Sequence, residues 1–311
     1  MRTVYLDGQF VPESEAKLSI YDLSIMQAAA AFEMTRSFHG QHFKLREHLD
    51  RLMHSCDLLG LNPWTNAEEL ELVCAEVTAR NDHGPGEEHR LLIVVSPGCA
   101  EIYRDLDGVI PHPFVYIADF PLRYTVQGFG KYFTEGVHCV TSQIQQVPDT
   151  CVPSAAKHRS RLHFHLAQQQ APAGTWPLLT EDALGVDYTE APGANIVLVK
   201  RGMVETVEKK CLQGVSLQTV KALTGAIETF VRTAKYLREA DELWLTGTPF
   251  CALSVVSLDG KPIGDGTIGP VYKAIMKKWN ELVGLDIAAQ IQEWDAQRID
   301  PTQHRADLAL R

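Results

Sequence analysis

Apolar residues in the first 60 positions recur with two different periods, which predict a hairpin followed by a helix. Two short β-prone runs, residues 4–6 and 9–11, flank an Asp-Gly dipeptide at residues 7–8, and that dipeptide is typical of tight hairpin turns. Within residues 46–59 apolar side chains recur every three or four positions, as on a helix with one buried face. Gly60 is suited to end that helix, because glycine adopts the left-handed backbone conformation easily.

The rest of the chain is predicted to continue as a mixture of helices and strands. In order, the pattern predicts helix 66–80, strands 90–96, 114–118 and 136–141, helix 160–170, strands 195–199, 203–207 and 243–245, a hairpin around residues 259–260, and helix 271–283. After Gly214 the helical spacing continues as far as Ala234 and predicts one long helix, with Ser216 at its N-cap. The apolar face of that helix would consist of Val220, Leu223, Ile227, Val231 and Ala234.

These elements predict an α+β fold with two domains. We expect a smaller N-terminal domain of residues 1–120, a larger C-terminal domain of residues 121–294, and a peripheral polar tail of residues 295–311. The length of 311 residues is enough for two cores that need no disulfides.

Composition and charge narrow the possible partners and the location. The chain carries 29 Lys and Arg against 39 Asp and Glu, a net charge of −10, which argues against nucleic acid and anionic membranes as partners. Seven scattered cysteines without a C-x-x-C pair are typical of reduced thiols in a cytoplasmic protein. We find neither a signal peptide nor an apolar run of membrane-spanning length. We also predict no metal site, because His163 and His165 would point to different sides of a helix.

Four features could carry chemistry. Lys157 follows an uncharged segment at a predicted strand-to-helix junction, where partial desolvation would turn its amine into a nucleophile. The helix start at residues 214–216 and the Thr-Gly-Thr turn at residues 246–248 are both suited to binding a phosphate. Glu190 precedes a turn that leads into a strand. Taken singly, each is equally an ordinary surface lysine, cap, turn or solvated carboxylate.

Taken together, the four features match the requirements of pyridoxal 5′-phosphate. That cofactor needs a lysine to attach to, groups that hold its phosphate, and a carboxylate that keeps its ring nitrogen protonated so that the ring can accept electrons.

The sequence also resembles the class IV aminotransferases, the fold-type IV pyridoxal-phosphate enzymes that include branched-chain aminotransferases, D-amino acid aminotransferases and aminodeoxychorismate lyases. The resemblance runs in order from residue 4 to residue 283 through segments similar to the family's motifs: YLDGQFVP, AAFEMTRSFHGQHFKLREHLDRLMHSC, TEAPGANIVLVKRGMVET, LQGVSLQTV and ADELWLTGT. It implies a small N-terminal α/β domain, a larger C-terminal pseudobarrel domain, a cleft between them, and a homodimer.

The same resemblance implies a role for each candidate residue. Lys157 would form a Schiff base with the cofactor and move the substrate proton, and Glu190 would pair with the ring nitrogen. The residues implied to hold the phosphate are Arg51, Val215, Ser216 and Thr248. Thr246 and Gly247 would help to bind the substrate carboxylate, and Gly247 would also lie beside the cofactor.

The sequence differs from the branched-chain pattern at two places. Gln27 and Ala28 replace a Tyr-Gly pair, which implies a different wall of the substrate pocket. The run KHRSRL resembles that of aminodeoxychorismate lyases, where an arginine, Arg161 in this chain, replaces a tyrosine at the cofactor's phenolic oxygen. Arg36 and Arg90 could each bind a substrate carboxylate, or each could form an ordinary salt bridge.

Three functions follow from these features. The first is an aminotransferase that moves an amino group between an amino acid, possibly branched-chain, and a 2-oxo acid. The second is a lyase-like enzyme that eliminates pyruvate with the same cofactor. The third is a catalytically silent scaffold, which would have no need for the lysine, the glutamate and both phosphate segments together.

Overall fold

The computed structural model of the protein describes residues 2–181, 187–228 and 232–297. The strands are β1 (Thr3–Leu6), β2 (Gln9–Pro12), β3 (Ala31–Met34), β4 (Ser37–Phe38), β5 (Gln41–His42), β6 (His89–Ser96), β7 (Phe114–Pro121), β8 (Val137–Thr141), β9 (Thr175–Leu178), β10 (Glu190–Ala191), β11 (Ala194–Lys200), β12 (Met203–Thr206), β13 (Ile227–Glu228), β14 (Glu242–Gly247), β15 (Cys251–Leu258) and β16 (Lys261–Pro262). The α-helices are α1 (Leu23–Met26), α2 (Leu45–Leu59), α3 (Ala67–Ala79), α4 (Tyr132–Glu135), α5 (Leu162–Gln170), α6 (Val215–Thr224), α7 (Ala234–Arg238), α8 (Pro270–Val283) and α9 (Ile287–Ala296).

An antiparallel sheet, in the order β2-β1-β7-β6-β3, organises the N-terminal part of the chain. Both residues of the β1–β2 turn have positive φ, 46° at Asp7 and 83° at Gly8, which matches the right-handed twist of a hairpin. Helices α2 and α3 pack their apolar faces on this sheet, with Leu49, Leu52, Leu70, Cys74 and Val77 against Leu91, Ile93 and Ile117. Gly60 ends α2 in the left-handed conformation, so the predicted hairpin and the predicted end of α2 are confirmed.

A larger mixed sheet organises the C-terminal part, in the order β13-β12-β11-β14-β15-β8-β9, with β10 paired to β11 and β16 paired to β15. Alternate residues of β11 enter two separate apolar clusters, Ile196 and Leu198 in one, and Val197 and Val199 in the other. Because successive strand residues point to opposite faces, the sheet is covered on both sides. Helices α6, α8 and α9 cover one face through Leu217, Val220, Tyr272, Ile275, Trp279, Ile287 and Ile291.

The single long helix predicted after Gly214 is wrong. Helix α6 ends at Thr224, and Gly225 follows it in the left-handed conformation, with φ of 67°. Ile227 lies in β13, and Ala234 begins the separate helix α7. The predicted apolar position Val231 lies outside the described residues. The spacing was helical on both sides of Gly225, but the glycine and the pairing of β13 with β12 interrupt the helix.

All seven cysteines are free thiols, six of them buried, as the sequence predicts. Within the described ranges no helix is both long enough and apolar enough to cross a bilayer. Helix α9 extends two residues into the predicted tail. There Asp295 accepts hydrogen bonds of 2.7 Å each from the backbone N–H groups of Gly128 and Gly130, so the start of the predicted tail is held against the segment before α4 rather than peripheral.

Candidate active site

A cavity with about 680 Å³ of empty space lies between the two sheets, and we name it the inner cavity. Its walls include nine of the residues singled out in the sequence: Arg51, Lys157, Arg161, Glu190, Val215, Ser216, Thr246, Gly247 and Thr248. They come from positions as far apart as 51 and 248 in the chain, so the fold brings the sequence candidates together.

The backbone around Lys157 is fixed by the N-terminal part of the chain. The Lys157 N–H donates to the hydroxyl of Ser55 in α2 at 3.0 Å, and the Lys157 carbonyl accepts from the N–H of Phe32 in β3 at 3.0 Å. The next residue, His158, forms an isolated antiparallel bridge with Ala31. The segment before Lys157 consists of turns, so the predicted strand-to-helix junction is wrong about the strand. Instead, the backbone of Lys157 and His158 pairs with Ala31 and Phe32 of β3.

The amine of Lys157 lies in an environment that favours its neutral form. Protein surrounds the amine on most sides, although the cavity leaves the residue partly accessible, and this desolvation lowers the pKa of Lys157 to about 7. The nearby charges of Arg51 and Arg161 act in the same direction, while Glu33 and Glu190 oppose it. The amine also lies 4.7 Å from the centre of the Phe32 ring. A neutral amine is a nucleophile toward an aldehyde or ketone.

Glu190 contributes a buried carboxylate to the same cavity. It lies in the short strand β10 opposite Asn195, and it accepts a hydrogen bond from the Gln146 amide at 2.9 Å and a longer one from the Leu212 N–H at 3.4 Å. Burial raises the pKa of Glu190 to about 7, because these two contacts and the positive charge of Lys157 only partly offset the desolvation. A cationic group in the cavity would restore its ionised form.

Arg51 is held in place by a buried carboxylate. Its guanidinium donates to the two carboxylate oxygens of Glu33 at 2.6 and 2.9 Å, and to the carbonyl of Gln213 at 2.8 Å. The Nδ1 atom of His48 lies 2.8 Å from the same carboxylate. Burial disfavours the charged form of Glu33, but the positive charge of Arg51 and the contact with His48 outweigh it and hold the pKa of Glu33 well below its ordinary range. Arg51 is therefore oriented before any ligand arrives.

Helix α6 points its N-terminus at the cavity. Its N-cap is Gly214, not Ser216 as the sequence predicts, and no side chain caps the helix. A Cβ at Gly214 would lie 2.2 Å from the side-chain oxygen of Asn195, so only glycine fits there. Val215 and Ser216 follow as the first two helical residues and both line the cavity. Backbone N–H groups at an uncapped helix start bind anions well.

The Thr-Gly-Thr segment also lines the inner cavity. The hydroxyl of Thr246 donates to the carbonyl of Cys251 at 2.7 Å, so it stabilises the turn between β14 and β15. A Cβ at Gly247 would lie 2.9 Å from the carbonyl oxygen of Gly193, which brings two backbone segments unusually close. Thr248 remains partly exposed at the cavity wall.

Arg36 lies outside the inner cavity, which does not support contact with a substrate carboxylate, one of the two roles that the sequence allows it. Its guanidinium donates to the carbonyl of Pro249 at 3.0 Å and to the side-chain oxygen of Gln290 at 3.0 Å, and it stacks 3.8 Å from the Phe38 ring centre. The residue is 1% exposed. Arg36 therefore supports the loop that follows Thr248 from behind.

A second cavity, the outer cavity, adjoins the inner one and shares Phe32, Lys157, Arg161, Gly193 and Thr248 with it. It has about 1140 Å³ of empty space, and its walls combine polar groups with these apolar side chains: Met34, Phe129, Tyr132, Trp176, Pro177, Pro192, Pro249 and Phe250. Arg90 also lines it, buried, and its Nε atom has no hydrogen-bond partner among the described residues. Its other nitrogens make only weak contacts, 3.3 Å to the carbonyl of Thr35 and 3.5 Å to the sulfur of Met34.

Sequence reasoning missed several residues of the site. Glu33 and Asn195 lie inside segments that the sequence singles out, and their positions beside Arg51 and Gly214 could have been inferred from those segments. Leu212 also lies inside such a segment, at the start of LQGVSLQTV, but nothing in the sequence places it beside Glu190. Gln146 lies in no predicted element, and only the folded chain brings it to Glu190.

Comparison with known proteins agrees with this architecture. Residues 30–258 match the family model described as Amino-transferase class IV. The chain is 28% identical over 287 residues to a Methanocaldococcus jannaschii protein named "Putative branched-chain-amino-acid aminotransferase", covering 90% of this chain and 96% of that protein. It is 23% identical over 295 residues to a D-alanine aminotransferase of Staphylococcus aureus, covering 91% and 98%.

Among solved structures, a branched-chain aminotransferase from Thermoproteus uzoniensis with norvaline superimposes with a TM-score of 0.78 and 25% identity, covering 94% of this chain and 97% of that one. The α+β fold of fold-type IV enzymes is therefore confirmed. Because the family model spans most of the sequence and agrees with the relatives and the fold, the chain belongs to the class IV aminotransferases, enzymes that depend on pyridoxal 5′-phosphate.

Proposed function

We propose that this aminotransferase moves the amino group between an amino acid with an apolar, branched side chain and a 2-oxo acid, with the cofactor in the inner cavity. The observation that carries the proposal is that Lys157 and Glu190 line the same cavity. Burial brings the pKa of each to about 7, so each can gain or lose its charge near neutral pH. The two residues are the amine and the carboxylate that the cofactor requires.

The residues of the inner cavity fit a phosphorylated pyridine. The start of α6, which no side chain caps, offers backbone N–H groups, and Gly214 lets the chain pass close to the Asn195 side chain as the helix begins. Arg51 adds a fixed positive charge at the same end. We assign the phosphate to Arg51, Val215, Ser216 and Thr248, with Gly247 against the cofactor and Thr246 bracing its loop.

Glu190 and Arg161 would control the charge on the ring of the cofactor. Glu190 would pair with the ring nitrogen, whose positive charge keeps the carboxylate ionised. Arg161 would hold the phenolic oxygen of the cofactor with a permanent charge, because its partly buried side chain lines the cavity. Its guanidinium lies next to Gly193, where a Cβ would come within 3.6 Å of it. When bound, the cofactor supplies an electron sink for the carbanion formed at the substrate α-carbon.

Lys157 would do the proton transfer. Its neutral amine accepts the α-proton of the amino acid at Nζ and later returns a proton, so the same atom is base and then acid. Its anchoring to Ser55 and Phe32 fixes the direction from which the amine approaches.

The outer cavity supports an apolar substrate. Its aromatic and aliphatic walls would bury a branched side chain, and the under-satisfied Arg90 would bind a carboxylate. The names of the relatives agree with an apolar substrate, since two of those reported above are named as branched-chain aminotransferases and the structure of one of them contains norvaline, an apolar but unbranched amino acid. The D-alanine enzyme leaves the preference for L or D donors to experiment.

Pyruvate elimination is not favoured, because the family model and the relatives reported above are aminotransferases. The feature that supports elimination is Arg161 in the inner cavity, because the KHRSRL run resembles that of aminodeoxychorismate lyases.

We further propose a homodimer of two-domain chains. The N-terminal sheet would belong to a domain of residues 1–120, and the larger sheet to residues 121–294. Exposed Ile20, Ile25 and Ile102 lie on segments joined by the Asp22–Cys99 bridge, and a second copy could bury them. The free cysteines support a cytoplasmic location.

A donor panel tests the substrate proposal. The purified chain, loaded with cofactor, receives L-leucine, L-valine, D-alanine or L-aspartate singly, and release of the 2-oxo acid is measured together with conversion to the pyridoxamine spectrum. We expect L-leucine and L-valine to react fastest. Faster reaction of D-alanine or L-aspartate would overturn the substrate class, and pyruvate released from aminodeoxychorismate without spectral conversion would favour elimination.

A further inference from the structure

Three ionisable side chains meet at the end of the N-terminal sheet, away from both cavities. His83 lies in the loop between α3 and β6, His89 begins β6, and Asp119 lies near the end of the neighbouring strand β7. The Nδ1 atom of His89 lies 2.6 Å from Oδ2 of Asp119, and Nε2 of His83 lies 3.1 Å from the same oxygen. One ligand atom from each residue lies within 4.8 Å of the other two.

This cluster has unmet bonding capacity in a place that water scarcely reaches. The Asp119 side chain is fully buried and that of His83 is 4% exposed. Despite the short separation, His83 Nε2 lacks hydrogen-bonding geometry, and both it and Oδ1 of Asp119 are without a partner among the described residues. A buried polar atom without a partner is unfavourable, because it has given up its hydrogen bonds to water and gained none in the protein. Something that binds both atoms at once would remove that cost.

We propose that His83, His89 and Asp119 bind a zinc ion. Two imidazole nitrogens and one carboxylate oxygen are a donor set that zinc favours. At bond lengths of about 2.0–2.2 Å, tetrahedral ligand atoms stand roughly 3.3 Å apart. To admit the ion, the 2.6 Å contact between His89 and Asp119 would lengthen by about 0.7 Å and the 3.1 Å contact between His83 and Asp119 by about 0.2 Å. These three ligands are spread over residues 83–119 and lack the short spacing by which a metal site can be identified in a sequence.

The position of the cluster indicates a structural role. The ion would tie the loop after α3 to two adjacent strands, and it would sit beside Arg90, which follows His89 on β6. Adjacent strand residues point to opposite faces, so the ion would stabilise the strand that presents Arg90 without entering the outer cavity. Structural zinc sites usually have four protein ligands, so this site would differ from them in being completed by one bound water.

Metal content tests the proposal without relying on catalysis. The untagged, full-length chain with its cofactor is treated with EDTA, dialysed, incubated with ZnCl₂ and separated from free metal. We expect one zinc ion per chain and a higher Tm with zinc than without it, because a ligand that binds only the folded state stabilises it. Titration with Co²⁺ should give the visible absorption bands of a tetrahedral site.

Variants identify the ligands. His83→Ala and Asp119→Asn should each weaken zinc binding by about 100-fold or more and abolish the rise in Tm. His112→Ala is the matched control, because His112 also pairs with a carboxylate, Asp7 at 3.0 Å, but in a two-residue contact, and it should bind zinc like the wild type. The proposal is overturned if the wild type holds no stoichiometric zinc, or if His112→Ala loses zinc as the ligand variants do. Should His83→Ala fail to fold, the wild-type zinc content and cobalt spectrum still decide.

Discussion

The guanidinium of Arg51 and the carboxylate of Glu33 form a buried two-point ion pair, with separations of 2.6 and 2.9 Å. The third nitrogen of Arg51 donates a hydrogen bond to the carbonyl of Gln213, the residue before Gly214 at the start of α6. Arg51 thus links the N-terminal helix α2 to the proposed phosphate position in the C-terminal part. A surface arginine would have to be ordered by the ligand, whereas this one is ordered already.

We expect Glu33→Gln to weaken cofactor binding by about tenfold or more. The amide cannot balance the buried charge of Arg51, and removing one partner of a buried pair typically costs about 3–5 kcal/mol in stability as well. Fluorescence titration of the apoprotein measures the first effect and thermal unfolding the second. Glu13→Gln, which removes the exposed partner of Arg2, is the control and should change neither. Equal cofactor affinity in the wild type and Glu33→Gln would contradict the positioning role.

We expect Lys157→Ala to lose the visible absorbance of the lysine-bound cofactor and to lower the transamination rate by at least about 10²–10⁴-fold. The reason is that one amine serves as both the attachment point and the proton carrier. Lys261→Ala, at an exposed position in β16, should keep both properties. Retained visible absorbance in Lys157→Ala would place the attachment elsewhere.

The attachment of cofactor to the apoprotein should accelerate as pH rises through about 7. A pKa lowered to about 7 by burial means that Lys157 is protonated below that pH and nucleophilic above it, whereas an ordinary lysine would need a much higher pH. Stopped-flow absorbance over a pH series measures the rate. In Glu190→Gln the rise should move to lower pH, because the lost negative charge had favoured protonated Lys157. A rate that rises only near pH 10 in the wild type would refute the desolvated amine.

We expect Gly214→Ala to weaken cofactor binding more than Ser216→Ala does. The added methyl group would collide with the Asn195 side chain and displace the start of α6, while Ser216→Ala removes one hydroxyl and leaves the backbone in place. Cofactor dissociation constants from equilibrium dialysis separate the two cases. A smaller effect for Gly214→Ala would mean that the backbone N–H groups of α6 contribute little.

We expect Arg90→Gln to raise the KM for the amino acid by roughly 10-fold or more, since a charge-assisted hydrogen bond contributes about 1.5–3 kcal/mol. The visible spectrum of the cofactor should be unchanged, because Arg90 lines the outer cavity alone. Steady-state kinetics and an absorbance spectrum of the same sample provide the test. An altered spectrum with an unchanged KM would place Arg90 at the cofactor instead.

Much of this fold is predictable from local signals, but the break after α6 is not. The hairpin at Asp7-Gly8 and the end of α2 at Gly60 depend on neighbours in sequence, and both are found where the sequence places them. At Gly225 the apolar spacing on both sides is helical, and a long-range pairing of β13 with β12 decides the outcome.

The residues of the candidate site could likewise be predicted only in part from the sequence. Residue types identify the candidates that line the inner cavity, but they give no information on Arg36, whose partners Pro249 and Gln290 lie more than 200 residues away. The lowered pKa of Lys157 also depends on burial against Phe32 and on charges from three other segments, which only the folded chain brings together.

The short pairing between His158 and Ala31 means that Lys157 belongs to the C-terminal half of the chain while β3, in the N-terminal half, fixes the direction of its amine. A protein cut between Pro121 and Val137 would keep each sheet intact yet leave neither fragment with an oriented nucleophile. Reactivity in this enzyme is therefore a joint property of both halves. We expect separately expressed fragments to recover it only when they reassemble.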